Sequence, residues 1–202
     1  MNILVDDLPK EIDGVPIRTD YRFMVLFEEL LHDDKISSGM KVQQAVDLLY
    51  ISAVPDVQSA WDGLLWYYSG GHYQKSKNSG ALRRIQSPVY DFEQDAERIY
   101  SAFWQIYGID LQSAPMHWWT FRALLANLPD TCLMGEIMRI RATDAGSLKG
   151  AERRRIRCLQ EIYAIRRAGA RSFISAAERD RELREYVLRR HREAEEWKKN
   201  HS

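Results

Sequence analysis

Residues 108–122 read GIDLQSAPMHWWTFR, and the role of the two adjacent indoles decides what kind of molecule this is. Three roles compete: a catalytic cluster around Asp110, His117 and Arg122, a platform on which nucleic-acid bases stack, or the packed centre of a helical fold. On a helix, Trp118, Phe121, Leu125 and Leu128 share one face, Trp119 and Ala123 flank it, and Met116 starts the stripe. Side chains this large each remove on the order of 150–250 Å² from water when buried, so packing is the expected role. A stacking platform needs open aromatics in a basic groove, and this neighbourhood is acidic or neutral. Ser113 is the expected cap of this helix, Pro115 falls in its first turn, and Pro129 stops it.

Working outward, the same 3.6-residue period recurs. Residues 91–107 carry Phe92, Ala96, Ile99, Phe103 and Ile106 on one face, with Asp91 and Gln94 spaced as a capping box and Gly108 placed to end the helix. Upstream, a helix begins at Thr19 or Asp20, with Phe23, Leu26, Phe27, Leu30 and Leu31 as its apolar face. Another is expected over 41–52, through Val42, Ala45, Val46, Leu49 and Tyr50. The next runs from Asp56 to the Gly70-Gly71 pair, through Val57, Ala60, Trp61, Leu64, Leu65 and Tyr68. Residues 70–90 are polar and rich in Gly and Ser, the longest expected loop. A short helix over 131–142 uses Leu133, Ile137 and Ile140. The chain opens differently: in KEIDGVPI, Asp13-Gly14 sits between short extended runs as a hairpin turn, and Pro16 restricts the pair to a sheet edge.

Bulk properties agree with one globular body. The chain has 202 residues, 45% hydrophobic and 29% charged, enough for a core without staples. Cys132 and Cys158 stand far apart, which excludes a zinc ribbon or disulfide scaffold and fits a reducing compartment. No signal peptide and no run of about 18 apolar residues is read, so a location in the cytoplasm is expected. Formal net charge is zero but segregated: residues 1–146 hold 13 Lys/Arg and 20 Asp/Glu, net −7, and residues 147–202 hold 16 and 9, net +7. TDAGSLKG, 143–150, marks the boundary between a helical body with an N-terminal hairpin, 1–146, and a basic helical tail, 147–202. The tail reads as two charged helices, one through Ile156, Leu159, Ile162 and Tyr163, the other from Ser175 with a thin stripe ending at Trp197. The expected fold is therefore mainly α: a multi-helix bundle with a short N-terminal β-hairpin and a C-terminal pair of charged helices.

Chemistry is harder to find. Asp110 and His117 could form an oriented base, but no nucleophile signature accompanies them: GxSxG, a Cys–His arrangement and HExxH are all missing. The histidines, at 32, 72, 117, 191 and 201, never fall at metal-ligand spacing, and HDD at 32–34 reads as a solvated helix end. No phosphate-binding GxxxxGK[ST] occurs. The expectation is that His117 and Arg122 flank the aromatic core and are tied to Asp110 or to helix-end backbone, so that His117→Ala lowers thermal stability. ERRRIR at 152–157 and RRAGAR at 166–171 leave a second reading, a nucleic-acid-binding module acting through the basic helices.

YGIDL followed by MHWWTFRALLANL resembles the bacteriophage family named for gene product fifteen. The similarity takes in LPKEIDGVPIRTDYR at 8–22, DFEQDAERIYSAFW at 91–104 and EIMRIR at 136–141, hence roughly residues 8–142; Met116 stands where leucine is expected and Thr120 where lysine is. The resemblance implies a tail-assembly chaperone that coats the tape measure protein, keeps it soluble in the host bacterial cytoplasm and helps recruit tail-tube subunits. It implies neither catalysis nor a cofactor, and it leaves self-association open. A surface for such a partner is expected at Trp66, Tyr67 and Tyr73, which lie off the stripe of their helix, and at Trp197.

Overall fold

The computed structural model describes residues 3–73 and 89–166. Among them are a two-stranded hairpin, β1 Glu11–Ile12 and β2 Val15–Pro16, and seven helices: α1 Tyr21–His32, α2 Ser38–Leu49, α3 Val57–Tyr68, α4 Ala96–Tyr107, α5 Trp118–Ala126, α6 Leu133–Ala142 and α7 Gly150–Ile162. The fold is mainly α, as expected. Most of the 70–90 loop, the helix expected from Ser175, and Trp197 lie outside the described residues.

The hairpin pairs Glu11 with Pro16 and Ile12 with Val15. Asp13 and Gly14 both take positive φ, 51° and 78°, the geometry of the two-residue turn that matches strand twist. Its inner face buries Ile12 and Ile17. Beyond it, Ile17 bridges to Tyr50 and Arg18 Nη1 donates to the carbonyls of Asp47, Leu48 and Tyr50 at the end of α2. Those carbonyls have no partner within the helix, so an arginine from elsewhere in the chain closes it.

α1 and α3 both pack on α2, α1 also meets α5, and α6 lies between α4 and α7. Met24, Phe27, Leu49, Leu64, Tyr67, Phe103, Trp118 and Phe121 form the centre of the core, all 0–1% exposed. Ile137, Ile140 and Ile156 are buried on α6 and α7. Gly135 lets α6 approach the preceding turn: a Cβ there would stand 2.1 Å from the Pro129 carbonyl oxygen.

Several expected positions move. α2 starts at Ser38 rather than 41, because the Ser37 hydroxyl accepts from Met40 N and caps it. α4 starts at Ala96 rather than 91. Asp91 does cap, accepting from Glu93 N and Gln94 N, but only one turn forms before Asp95 reaches back to accept from Asp91 N. Ala96, Val57, Leu133 and Ile162, expected on buried stripes, are exposed. Gly108 ends α4 in the left-handed conformation, as read.

Asp95 is the buried charged residue of the described chain, with no exposed surface. Arg141 meets it from α6, Nη1 to Oδ2 at 2.5 Å and Nη2 to Oδ1 at 3.2 Å, and Arg98 adds a contact of 2.8 Å. Arg141 also donates to the carbonyls of Val89 and Tyr163. One guanidinium thus fastens the entry to α4 and the end of α7 to α6.

Candidate functional site

The tryptophan motif is built around a short backbone bridge. Residues 116–118 run antiparallel to residues 19–21: Tyr21 N donates to Met116 O at 2.9 Å and Trp118 N to Thr19 O at 2.8 Å. Each strand of the bridge then turns into a helix, so Asp20 caps α1 and His117 caps α5 side by side. This is why α5 begins at Trp118 and not at Ser113. The Ser113 hydroxyl is already taken, donating to Asp110 Oδ2, and the backbone at His117 is extended, as a strand pairing requires.

His117 has both ring nitrogens engaged. Nδ1 accepts from Trp119 N at 3.1 Å, which leaves Nε2 as the protonated nitrogen, donating to Pro9 O at 3.0 Å. The Tyr67 hydroxyl lies 3.4 Å from Nε2 and donates to Thr19 O. The ring has no lone pair left to take a proton from a substrate. Burial holds its pKa below the ordinary imidazole value, against the opposing pull of the Pro9 carbonyl. Asp110 is occupied elsewhere, accepting from Tyr100 Oη, Gln112 N and Ser113 Oγ. Those bonds, the Gln112 amide first, hold its carboxyl below the usual range. Of the two ties expected for His117, to Asp110 or to helix-end backbone, it makes the second, and Asp110 belongs to a separate turn. Arg122 is not tied to Asp110 either. It is exposed, and its guanidinium lies over Gly70, where a Cβ would come within 2.5 Å of Nη1.

The indoles are core, as expected, at 1% and 5% exposure. Both also carry a hydrogen bond that the sequence did not show: Trp118 Nε1 donates to Tyr68 O at 2.9 Å and Trp119 Nε1 to Tyr67 O at 2.7 Å. These carbonyls end α3: the Trp118 N–H satisfies Tyr68 O, which the helix itself cannot, and the Trp119 N–H joins Gly70 N at Tyr67 O. Trp118 stacks on Tyr68 at 5.6 Å and on Phe121 at 5.9 Å, and Phe121 stacks on Tyr21 and Phe103. The Tyr68 hydroxyl donates to Glu28. Desolvation, reinforced by Glu28, pushes the Tyr68 phenol far above its ordinary range.

Of the expected partner surface, Tyr67 is withdrawn. It has no exposed surface, because its hydroxyl reaches in to the bridge. Trp66 and Tyr73 are half-buried at the end of α3, Trp66 edge-on to Trp119 at 5.4 Å. The described surface also has an apolar groove between α1 and α4, of about 260 Å³, lined by Phe23, Val25, Leu26, Ile99 and Tyr100, with Arg22 and Glu29 among its polar residues. No single helix's periodicity reveals it, since it forms between two helices. Among the described residues no group of three His, Cys, Asp or Glu could hold a metal ion, and no helix is long and apolar enough to cross a membrane.

His117 gives a pH dependence with a definite sign. Its folded pKa lies below the ordinary 6.5, so the unfolded chain binds the proton first. The stabilisation is complete above that value and is lost as pH falls through it towards the folded pKa. Protonation also removes the Nδ1 acceptor that caps α5. Wild-type melting temperature should fall between pH 7.5 and 5 more steeply than that of His117→Asn, which keeps an acceptor and cannot titrate. Equal slopes would refute this. His117→Ala should cost about 1 kcal/mol at neutral pH for the cap.

The aromatic motif is thus architectural, a junction of two helix caps sealed by indoles, in a mainly helical protein. The chain belongs to the family described as Bacteriophage Gp15 protein, whose pattern matches residues 4–165. That match runs from the hairpin through α7, further than the 8–142 carried by the quoted motifs. Membership makes it a phage structural or morphogenesis protein. No curated protein and no solved structure matches the chain.

Proposed function

We propose that the protein is a non-enzymatic tail-assembly chaperone that binds the tape measure protein, keeps it soluble in the host cytoplasm and aids tail-tube assembly. The family match across residues 4–165 carries this reading. Two features support it. The polar groups of the tryptophan motif are spent on caps and turns, so Asp110 and His117 do not make a catalytic pair. Aromatic surface remains half open at Trp66 and Tyr73, at the end of α3.

Co-expression with the tape measure gene of the same phage tests it. The tape measure protein should be soluble and co-purify with the wild-type chain. Trp66→Asp should reduce the retained fraction about tenfold, the scale of an aromatic contact at an interface, with circular dichroism checking that the helices persist. Tyr73→Ser, a milder change, covers the case in which Trp66→Asp loosens Trp119. A wild-type chain that neither solubilises nor retains the tape measure protein overturns the proposal.

A further inference from the structure

Two exposed faces of the described surface have opposite electrostatic surroundings. The first is the α1–α4 groove. From Tyr100 its lining continues onto Trp104, one turn along α4; the two rings stack at 6.5 Å, and Trp104 is 56% exposed. Ala96, Tyr100 and Trp104 stand at i, i+4 and i+8, so α4 presents a second stripe outside its buried Ile99, Ala102 and Phe103 face. Of the groove's charged residues, Arg22 is paired with Asp20 at 2.8 Å, which leaves Glu29 to set its sign. Although Glu29 is exposed, its carboxyl is pushed above the usual range, by desolvation first and then by repulsion from Glu93 and Asp91. Glu29 and Glu93, both exposed, make that edge negative.

The second is the outer face of α7. Ala151, Arg155, Cys158 and Ile162 are all exposed, on the side away from buried Ile156. Ile162 is 61% exposed. Residues 147–166 carry six Lys/Arg against two Glu, and Arg154, Arg155 and Arg157 are exposed around this stripe. The Glu152–Arg155 contact, 3.6 Å between two exposed side chains, holds Arg155 only weakly.

We propose that the α1–α4 groove and the outer face of α7 are the two halves of one interface between copies of this chain, α7 of one copy lying in the groove of another. Ile162 meets the apolar groove, and the arginines of α7 meet the Glu29 and Glu93 edge. A 13-residue helix is about 20 Å long at 1.5 Å per residue, so α7 spans the Ala96–Trp104 stripe, about 12 Å, and overhangs it. Zero net charge means that two copies do not repel at long range, while segregated charge orients them. The groove and α7 are different surfaces, so one contact leaves a free groove on one molecule and a free α7 on the other, unless a two-fold axis makes the contact reciprocal.

Sedimentation of the full chain over a range of concentrations tests this. The wild type should self-associate, more weakly at high salt. Trp104→Asp and Ile162→Asp, both at exposed positions, should each weaken association about tenfold or more. Their equimolar mixture should regain a one-to-one dimer, because Trp104→Asp retains an intact α7 and Ile162→Asp an intact groove. Glu29→Arg should act like Trp104→Asp and be rescued in the same way. A wild type that stays monomeric throughout overturns the proposal and leaves the groove to a foreign partner. So does association indifferent to either side, or a mixture that stays monomeric. Tape measure retention is read at Trp66, so either proposal can fail while the other stands.

Discussion

Arg141→Met should be among the most damaging single changes in this protein, costing about 3–5 kcal/mol, the scale for breaking a buried ion pair from one side. The reason is what remains. Asp95 has no exposed surface; without Arg141 its carboxylate keeps the Arg98 contact, and Arg98 is itself about one-third exposed. Folding energies of 5–15 kcal/mol leave little margin for such a loss. Equilibrium urea unfolding checks it, with an unchanged slope showing that the loss is in stability and not in compactness. Adding Asp95→Asn should recover part of the loss by removing the stranded charge. Recovery stays incomplete, because the carbonyls of Val89 and Tyr163 still lack the donor that Arg141 supplied. A cost under about 1 kcal/mol would place this pair with ordinary surface contacts and refute the account.

That pair also marks where reading the chain from its letters stops working. Periodicity located the helices because burial of one face is a local pattern: Trp118, Phe121 and Leu125 repeat at helical spacing and are 1–2% exposed. Asp95 belongs to no such pattern. A charged residue beside a helix start reads as solvated, and its partner is 46 positions away. The start of α5 failed for a related reason. Ser113 and Pro115 satisfy the local rule for a helix N-terminus, but pairing of 116–118 with 19–21 holds that stretch extended. A backbone bridge between segments a hundred residues apart outweighs a local preference worth about 1 kcal/mol.

The candidate site was legible in composition but not in connection. His117, Trp118, Trp119 and Phe121 do gather, and helical spacing suffices to see it. Proximity in sequence suggests pairing Asp110 with His117, yet the loop between them turns the carboxylate towards Tyr100 and Ser113. Tyr67 was placed outside because it lies off the apolar stripe of α3. Its phenol reaches the Thr19 carbonyl instead, so a polar tip on an apolar ring made a buried residue look like a surface one. The groove between α1 and α4 depends on how two helices sit beside each other, which no single helix records.

Trp118→Ala should cost about 3–5 kcal/mol, the range for truncating a buried aromatic side chain. The indole is 1% exposed, contacts the rings of Tyr68 and Phe121, and closes the end of α3 through Tyr68 O. Its loss therefore opens a cavity and strands a carbonyl at once. Trp118→Phe separates the two effects: most of the apolar contact survives, the N–H does not, and the cost should drop to about 1–3 kcal/mol, the scale of an unsatisfied buried group. Trp104→Ala is the control, since that indole is 56% exposed, and should change stability by less than about 1 kcal/mol. Thermal unfolding followed by circular dichroism ranks the three. If Trp104→Ala proved as damaging as Trp118→Ala, the indole doublet would not be what joins α5 to α3, and the architectural reading of the motif would fail.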